Sequence, residues 1–158
     1  MPNPLHLYYV TDRKAFPGDD AARRNLLLRK IGEAASTAVD YIQLREKDLP
    51  GRDLEKLATE AVRTVREART ATRILINSRT DIALAVGADG VHLPAHDISP
   101  REVQWIRSAV SHAPDNFSIS VSCHSGEDVR MAEEEGATLA VLAPIFGKAA
   151  TSANPLGL

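Results

Sequence analysis

"GADGVHL" (87–93) decides the fold, because "GATLAVL" (136–142) repeats its form and "AVDYIQL" (38–44) repeats it more loosely. The three copies close on Leu44, Leu93 and Leu142, which are evenly spaced (93 − 44 = 49 and 142 − 93 = 49). Gly-Ala before a strand is common turn chemistry, so the weight rests on the even spacing. A unit of that length holds two βα pairs, a quarter of a closed eight-stranded barrel. Around the copies, short β-branched or aromatic runs alternate with longer helical patterns, as βα units of a parallel sheet do. The predicted strands are "LHLYYV" (5–10), "YIQL" (41–44), "RILI" (73–76), "GVHL" (90–93), "FSISVS" (117–122) and "LAVL" (139–142). Leu54, Leu57, Ala58, Ala61, Val62 and Val65 recur at helical spacing and predict a helix over 53–69 with one apolar face.

Local signals mark the helix ends. "SPRE" (99–102) places Ser99 as N-cap, Pro100 at the first helical position and Glu102 as its capping-box partner, opening a helix that carries Val103, Ile106 and Val110. Ser125 is expected to cap the next helix and Gly136 to end it in a left-handed turn. The rival fold, an open doubly wound sheet, is disfavoured because neither G-x-G-x-x-G nor G-x-x-x-x-G-K-[ST] stands between a strand and a helix. The expected fold class is therefore α/β: a TIM (β/α)8-type barrel truncated after about six βα units, forming one domain over 1–158. Such an arc leaves two strand edges unpaired, which a homo-oligomer would cover.

With 158 residues, 44% hydrophobic and 25% charged, the chain has the make-up of a globular domain with an ordinary core. Its net charge of −2 provides no broad basic field, so neither nucleic acid nor an anionic membrane is an expected partner. An anionic small molecule must be gripped locally. The single cysteine, Cys123, has no internal disulfide partner, and no charged-then-apolar opening reads as a secretion signal. The expected location is the cytoplasm.

Local grip is what the strand ends offer. In "YIQLREKDLPG" (41–51) alternation puts Gln43, Arg45 and Lys47 on one side and Ile42 and Leu44 on the other. If the apolar side meets helices, the polar side faces the barrel mouth, where a guanidinium fork and a mobile ammonium suit phosphate oxygens. A solvated charged loop is the competing reading. Polar groups also follow the other strands: Asn77 and Ser78 in "NSR", Asp97 in "PAHD", Ser122 and His124 in "SCHS", and Lys148 and Thr151 in "FGKAATS". Asp97 is a carboxylate of the kind that holds Mg2+ together with substrate phosphates, although a turn role would also explain it. Alternation points Ser122 and His124 inward and Cys123 outward, which disfavours a Cys-His nucleophilic pair. His92 reads as a hydrogen-bonded histidine of the barrel interior, and Trp105 as a packed helix residue. His6, His96 and His112 lack zinc-ligand spacing with Cys123.

In combination, "YYVTDR" (8–13), "QLREK" (43–47), "ILINSRTDIALAVGADGVHLPAHD" (74–97), "SVSCHS" (120–125), "LAPIFGK" (142–148) and "PLGL" (155–158) resemble the thiamine phosphate synthases and the related thiazole tautomerases. The resemblance implies a (β/α)8 barrel and a transferase of thiamine biosynthesis. Its partners would be a hydroxymethylpyrimidine diphosphate and a thiazole phosphate, its cofactor Mg2+, and its by-product pyrophosphate. It implies that Gln43, Leu44, Arg45, Glu46 and Lys47 hold the pyrimidine diphosphate, Asn77 the pyrimidine, Asp97 the Mg2+, and Ser122 the diphosphate. Ser78 stands where the synthases carry an aspartate, the second Mg2+ ligand. The family's T-x-T-K loop is replaced by "FGKAATSANPLGL" (146–158), with Lys148 and Thr151 assigned to its lysine and one threonine, and the family's last two strands have no counterpart here. The tautomerase relative uses a histidine as acid and base, at a position matched by His124. A non-catalytic phosphate-ligand module or fragment is the third reading.

Overall fold

The computed structural model describes residues 5–37 and 39–145. Strands and helices alternate: β1 (Tyr8–Val10), α1 (Asp20–Ser36), β2 (Tyr41–Leu44), α2 (Gly51–Ala68), β3 (Arg73–Asn77), α3 (Thr80–Ala85), β4 (Gly90–Leu93), α4 (Pro100–Ser108), β5 (Ser118–Cys123), α5 (Gly126–Glu134) and β6 (Leu139–Leu142). All neighbouring strands pair in parallel, in the order β1-β2-β3-β4-β5-β6. The C-terminal ends of the strands therefore share one rim. The sheet is strongly curled: Tyr8 Oη in β1 lies 3.5 Å from Ser120 Oγ in β5, whereas four flat strand spacings would separate them by about 19 Å. This is the expected part-barrel.

The repeat that pointed to the barrel has a physical cause. Gly87 and Gly136 take positive φ (66° and 88°) just after α3 and α5. Each helix closes with the paired bonds of a Schellman turn: Gly87 N–H to Leu84 C=O and Ala88 N–H to Ala83 C=O, then Gly136 to Glu133 and Ala137 to Ala132. The next residue then ties the coming strand to the one before it. Asp89 accepts the Ile74 N–H at 2.8 Å, Thr138 accepts that of Ile119 at 2.9 Å, and Asp40, at the same place in the looser copy, accepts that of Leu7 at 2.7 Å.

Alternation sorts the sheet's two faces as expected. Ile42, Leu44, Ile74, Ile76, Val91, Leu93 and Ile119 face outward into one core with Leu27 and Ile31 of α1, Leu57, Ala61 and Val65 of α2, and Val103 of α4. Leu75 alone among the fully buried strand leucines lies inside, and it leans over Gly90, where an added Cβ would sit 2.1 Å from Ser118 O and 2.8 Å from Leu75 Cδ2. The capping box of Ser99 and Glu102 forms, and Ser125 caps α5.

Two expectations are corrected. The first strand is Tyr8–Val10 rather than 5–10, and Leu5 and Leu7 are exposed, because this edge strand has only β2 to pair with. Trp105 is 74% exposed: the buried side of α4 carries Pro100 and Val103, and Trp105 lies off it. No helix among the described residues is long and apolar enough to cross a membrane.

Candidate functional site

At the floor of the mouth, strand alternation brings Tyr8, Gln43, Asn77, His92, Ser120 and Ser122 onto the inner face, from five strands spread along the sequence. Barrel interiors are commonly filled by branched aliphatics. Here they are polar and wired together. Tyr8 Oη donates to Gln43 Oε1 (3.1 Å), and Gln43 Nε2 donates to Asn77 Oδ1 (2.8 Å). His92 stands between Ser120 and Ser122, with Nδ1 2.9 Å from Ser120 Oγ and Nε2 2.9 Å from Ser122 Oγ. Burial holds the Tyr8 hydroxyl up at about 12, so it remains a donor.

Above this floor lie the groups of the rim. The Arg45 N–H is fixed to Thr11 Oγ1 (2.9 Å) while its side chain is exposed. Ser78, at φ 66°, is held by its N–H on the His92 carbonyl (2.8 Å), and its hydroxyl donates to Asp97 Oδ2 at 2.5 Å. Such a φ is uncommon for serine. A cavity of about 320 Å³ is lined by Leu44, Glu46, Lys47, Asn77 and Ser78, and a second of about 350 Å³ lies between the ends of β4 and β5 and the helices α4 and α5, lined by Leu93, Asp97, Val121, Ser122, His124 and Met131. Both share Pro94 as a wall.

Not every residue singled out in the sequence faces the mouth. Glu46 is buried, and its carboxylate accepts the Thr11 hydroxyl (2.7 Å) and the Arg13 N–H (3.1 Å to each oxygen). It ties β2 to the loop after β1. Leu44 belongs to the outer core and offers the first cavity only an apolar wall. The inward direction expected for His124 is corrected: β5 ends at Cys123, and His124 lies exposed beyond it with Nδ1 2.6 Å from the Ala143 carbonyl. Lys148 and Thr151 lie outside the described residues. Cys123 is buried on the outer face, away from Ser122, and burial pushes its thiol up. Composition and motif give Tyr8, Thr11 and Arg13 no role of their own, although all belong to "YYVTDR". Alternation alone could have placed Tyr8 inside, opposite in facing to Tyr9.

Electrostatics tie floor to rim. The His92 imidazole is held down at about 4, first by burial and then by the Arg45 cation, against an opposing pull from Asp97. It is therefore neutral at pH 7. A base depressed in the folded state takes up its proton more readily once unfolded, so its contribution to stability is full above the ordinary value of 6.5 and disappears as pH falls to about 4. The loss amounts to about 3 kcal/mol. Urea unfolding followed across this window should show that loss in the native protein and not in His92→Gln; equal slopes would mean that another group titrates.

A family model described as thiamine monophosphate synthase matches residues 7–158. A candidate thiamine-phosphate synthase, numbered 2, of Aquifex aeolicus is 42% identical over 96% of this chain and 74% of its own length. The thiamine-phosphate synthase of Methanoculleus marisnigri is 39% identical over 89% of this chain and 60% of its own length. The solved thiamine phosphate pyrophosphorylase of Pyrococcus furiosus superposes with a TM-score of 0.75 at 28% identity, covering 97% of this chain and 65% of that one. The chain thus spans about three fifths to three quarters of the length of the relatives it matches. On the family model and on the length and identity of these matches, the chain belongs to the thiamine monophosphate synthase family.

Proposed function

We propose that this protein works in the cytoplasm as a thiamine phosphate synthase, joining a hydroxymethylpyrimidine diphosphate to a thiazole phosphate with release of pyrophosphate. The observation that supports the reading is a hydrogen-bonded floor containing Asn77 and Ser122, with Lys47 and Asp97 lining the cavities beside it and the charges of Arg45 and Asp97 both acting on His92 in that floor. The reaction breaks the bond between the pyrimidine methylene carbon and a diphosphate oxygen. The electron pair leaves with the diphosphate, and the thiazole nitrogen supplies the pair for the new C–N bond. Such a step asks for cationic and hydrogen-bonding groups around the departing oxygens more than for a general base.

Arg45 offers a planar fork and Lys47 a mobile charge to those oxygens, and Ser122 a hydroxyl. Asn77, whose Oδ1 is occupied by Gln43, presents its amide N–H groups to the first cavity, where a pyrimidine nitrogen can accept. The donor set at Asp97 and Ser78 is one carboxylate and one hydroxyl, and among the described residues no three His, Cys, Asp or Glu side chains form a cluster for a metal. That set fits a Mg2+ that arrives with phosphate oxygens, which commonly uses one or two carboxylates. Bound there, Mg2+ would neutralise charge on the leaving diphosphate.

The test is Mg2+-dependent pyrophosphate release from the two substrates, with Ser78→Asp as the informative variant. A second carboxylate beside Asp97 should tighten Mg2+ binding about tenfold and raise the coupling rate. No gain would remove Ser78 from the metal site.

A second reading, a thiazole tautomerase, draws on His124. Its Nδ1–H donates to the Ala143 carbonyl, which makes Nε2 the lone-pair nitrogen, and so a base, of a residue that lines the second cavity. Metal-independent isomerisation that is lost in His124→Ala would favour it. Binding of pyrophosphate without turnover of either kind would favour a phosphate-ligand module.

A further inference from the structure

His92 is the one buried titratable side chain of the floor to which the synthase reading gives no part, and its two ring nitrogens face different neighbours. Nε2 meets Ser122 Oγ at 2.9 Å, while Nδ1 meets Ser120 Oγ at 2.9 Å and Tyr8 Oη at 3.3 Å. Which nitrogen carries the proton follows from accounting for every buried donor. Gln43 is 3% exposed, and its Oε1 takes its hydrogen from Tyr8, so the Tyr8 proton is committed. Ser120 is 0% exposed, and its hydroxyl proton has two acceptors within reach among the described residues: His92 Nδ1 at 2.9 Å and Tyr8 Oη at 3.5 Å. A proton on Nδ1 would drive the Ser120 hydroxyl to the longer contact, at the limit of a hydrogen bond. A lone pair on Nδ1 gives it the short one. A buried donor left without a good acceptor costs more than a hydrogen bond returns, so the imidazole proton sits on Nε2.

We infer that His92 is a positioning residue: it donates from Nε2 to Ser122 Oγ, and so leaves the Ser122 hydroxyl proton pointing into the mouth as a donor to an anionic oxygen. With the other tautomer Ser122 would spend its proton on His92 and meet the mouth with lone pairs, repelling a phosphate oxygen. Ser120, fully buried in the floor, sets the polarity by its own hydrogen bond. This inference rests on the reading of the mouth as a diphosphate site, and it adds to that reading a direction for each hydrogen bond in the floor.

Two measurements test it. In protein labelled with 15N-histidine, the His92 ring at neutral pH should show a protonated Nε2 and a bare Nδ1; the reverse assignment overturns the inference whatever the protein binds. With Mg2+ and inorganic pyrophosphate as the probe, Ser120→Ala should weaken binding about tenfold, the scale of a hydrogen bond to a charged group. In a Ser122→Ala background the same change should cost nothing further. Equal losses in both backgrounds would mean that Ser120→Ala acts through packing, and would overturn the inference. If the native protein binds no pyrophosphate at all, the diphosphate reading of the mouth fails, and the tautomer measurement still decides the state of His92.

Discussion

Replacing Arg13 with methionine is expected to cost about 3 to 5 kcal/mol of stability, the range for removing one partner of a buried ion pair. Arg13 is 6% exposed, and each of its three guanidinium nitrogens donates to a carboxylate. Nη1 and Nη2 reach the two oxygens of Asp48 (2.7 and 2.9 Å), Nη1 also meets Glu46 (3.3 Å), and Nε meets Asp20 (3.1 Å). Held by that fork, the Asp48 carboxyl lies well below the usual carboxylate range. The damage centres on Glu46, whose side chain is 2% exposed and would keep its bonds to Thr11 and the backbone but lose its countercharge. Because Arg45 and Lys47 flank Glu46, the clasp also holds the proposed diphosphate loop against the β1 end. The double variant Arg13→Met, Glu46→Gln should recover most of the loss, since no uncompensated charge then remains buried. Urea unfolding of the two variants checks this; a loss below about 1 kcal/mol for Arg13→Met would class the cluster with ordinary surface ion pairs.

That clasp was invisible in the sequence for a reason that applies widely. "QLREK" announces three charges at a strand end, but nothing in it says that the glutamate turns back while the arginine and lysine turn out. Its partner, Arg13, lies in another βα unit, and only the fold makes them neighbours. What could be read was periodic or local. Strands β2, β4 and β6 have the expected bounds to the residue because each follows a helix end or turn with its own chemistry. Alternation correctly put Gln43 and Ser122 inside, since both lie within paired strands. It failed for His124, one residue past the end of β5, where pairing no longer dictates facing. Trp105 misled for a different reason: size and apolarity favour burial on average, but position on α4 decided its exposure.

Loss of the Arg45 side chain should be the most damaging change to the proposed reaction. Arg45→Ala is expected to lower Mg2+-dependent pyrophosphate release by about 10²- to 10³-fold, the scale seen when one preorganised group is taken from developing negative charge. Arg45→Lys should restore part of it, because a point charge replaces the charge but not the fork. Stability should hardly move, for the side chain is exposed and its backbone N–H keeps its bond to Thr11. A spectroscopic readout separates this role from misfolding. The Arg45 cation is second only to burial in holding the His92 imidazole down at about 4. In Arg45→Ala the His92 ring should therefore titrate higher than in the native protein, and in Arg45→Lys it should stay nearer the native value. An unmoved His92 titration would place the guanidinium away from the mouth, and unchanged pyrophosphate release would remove Arg45 from the reaction.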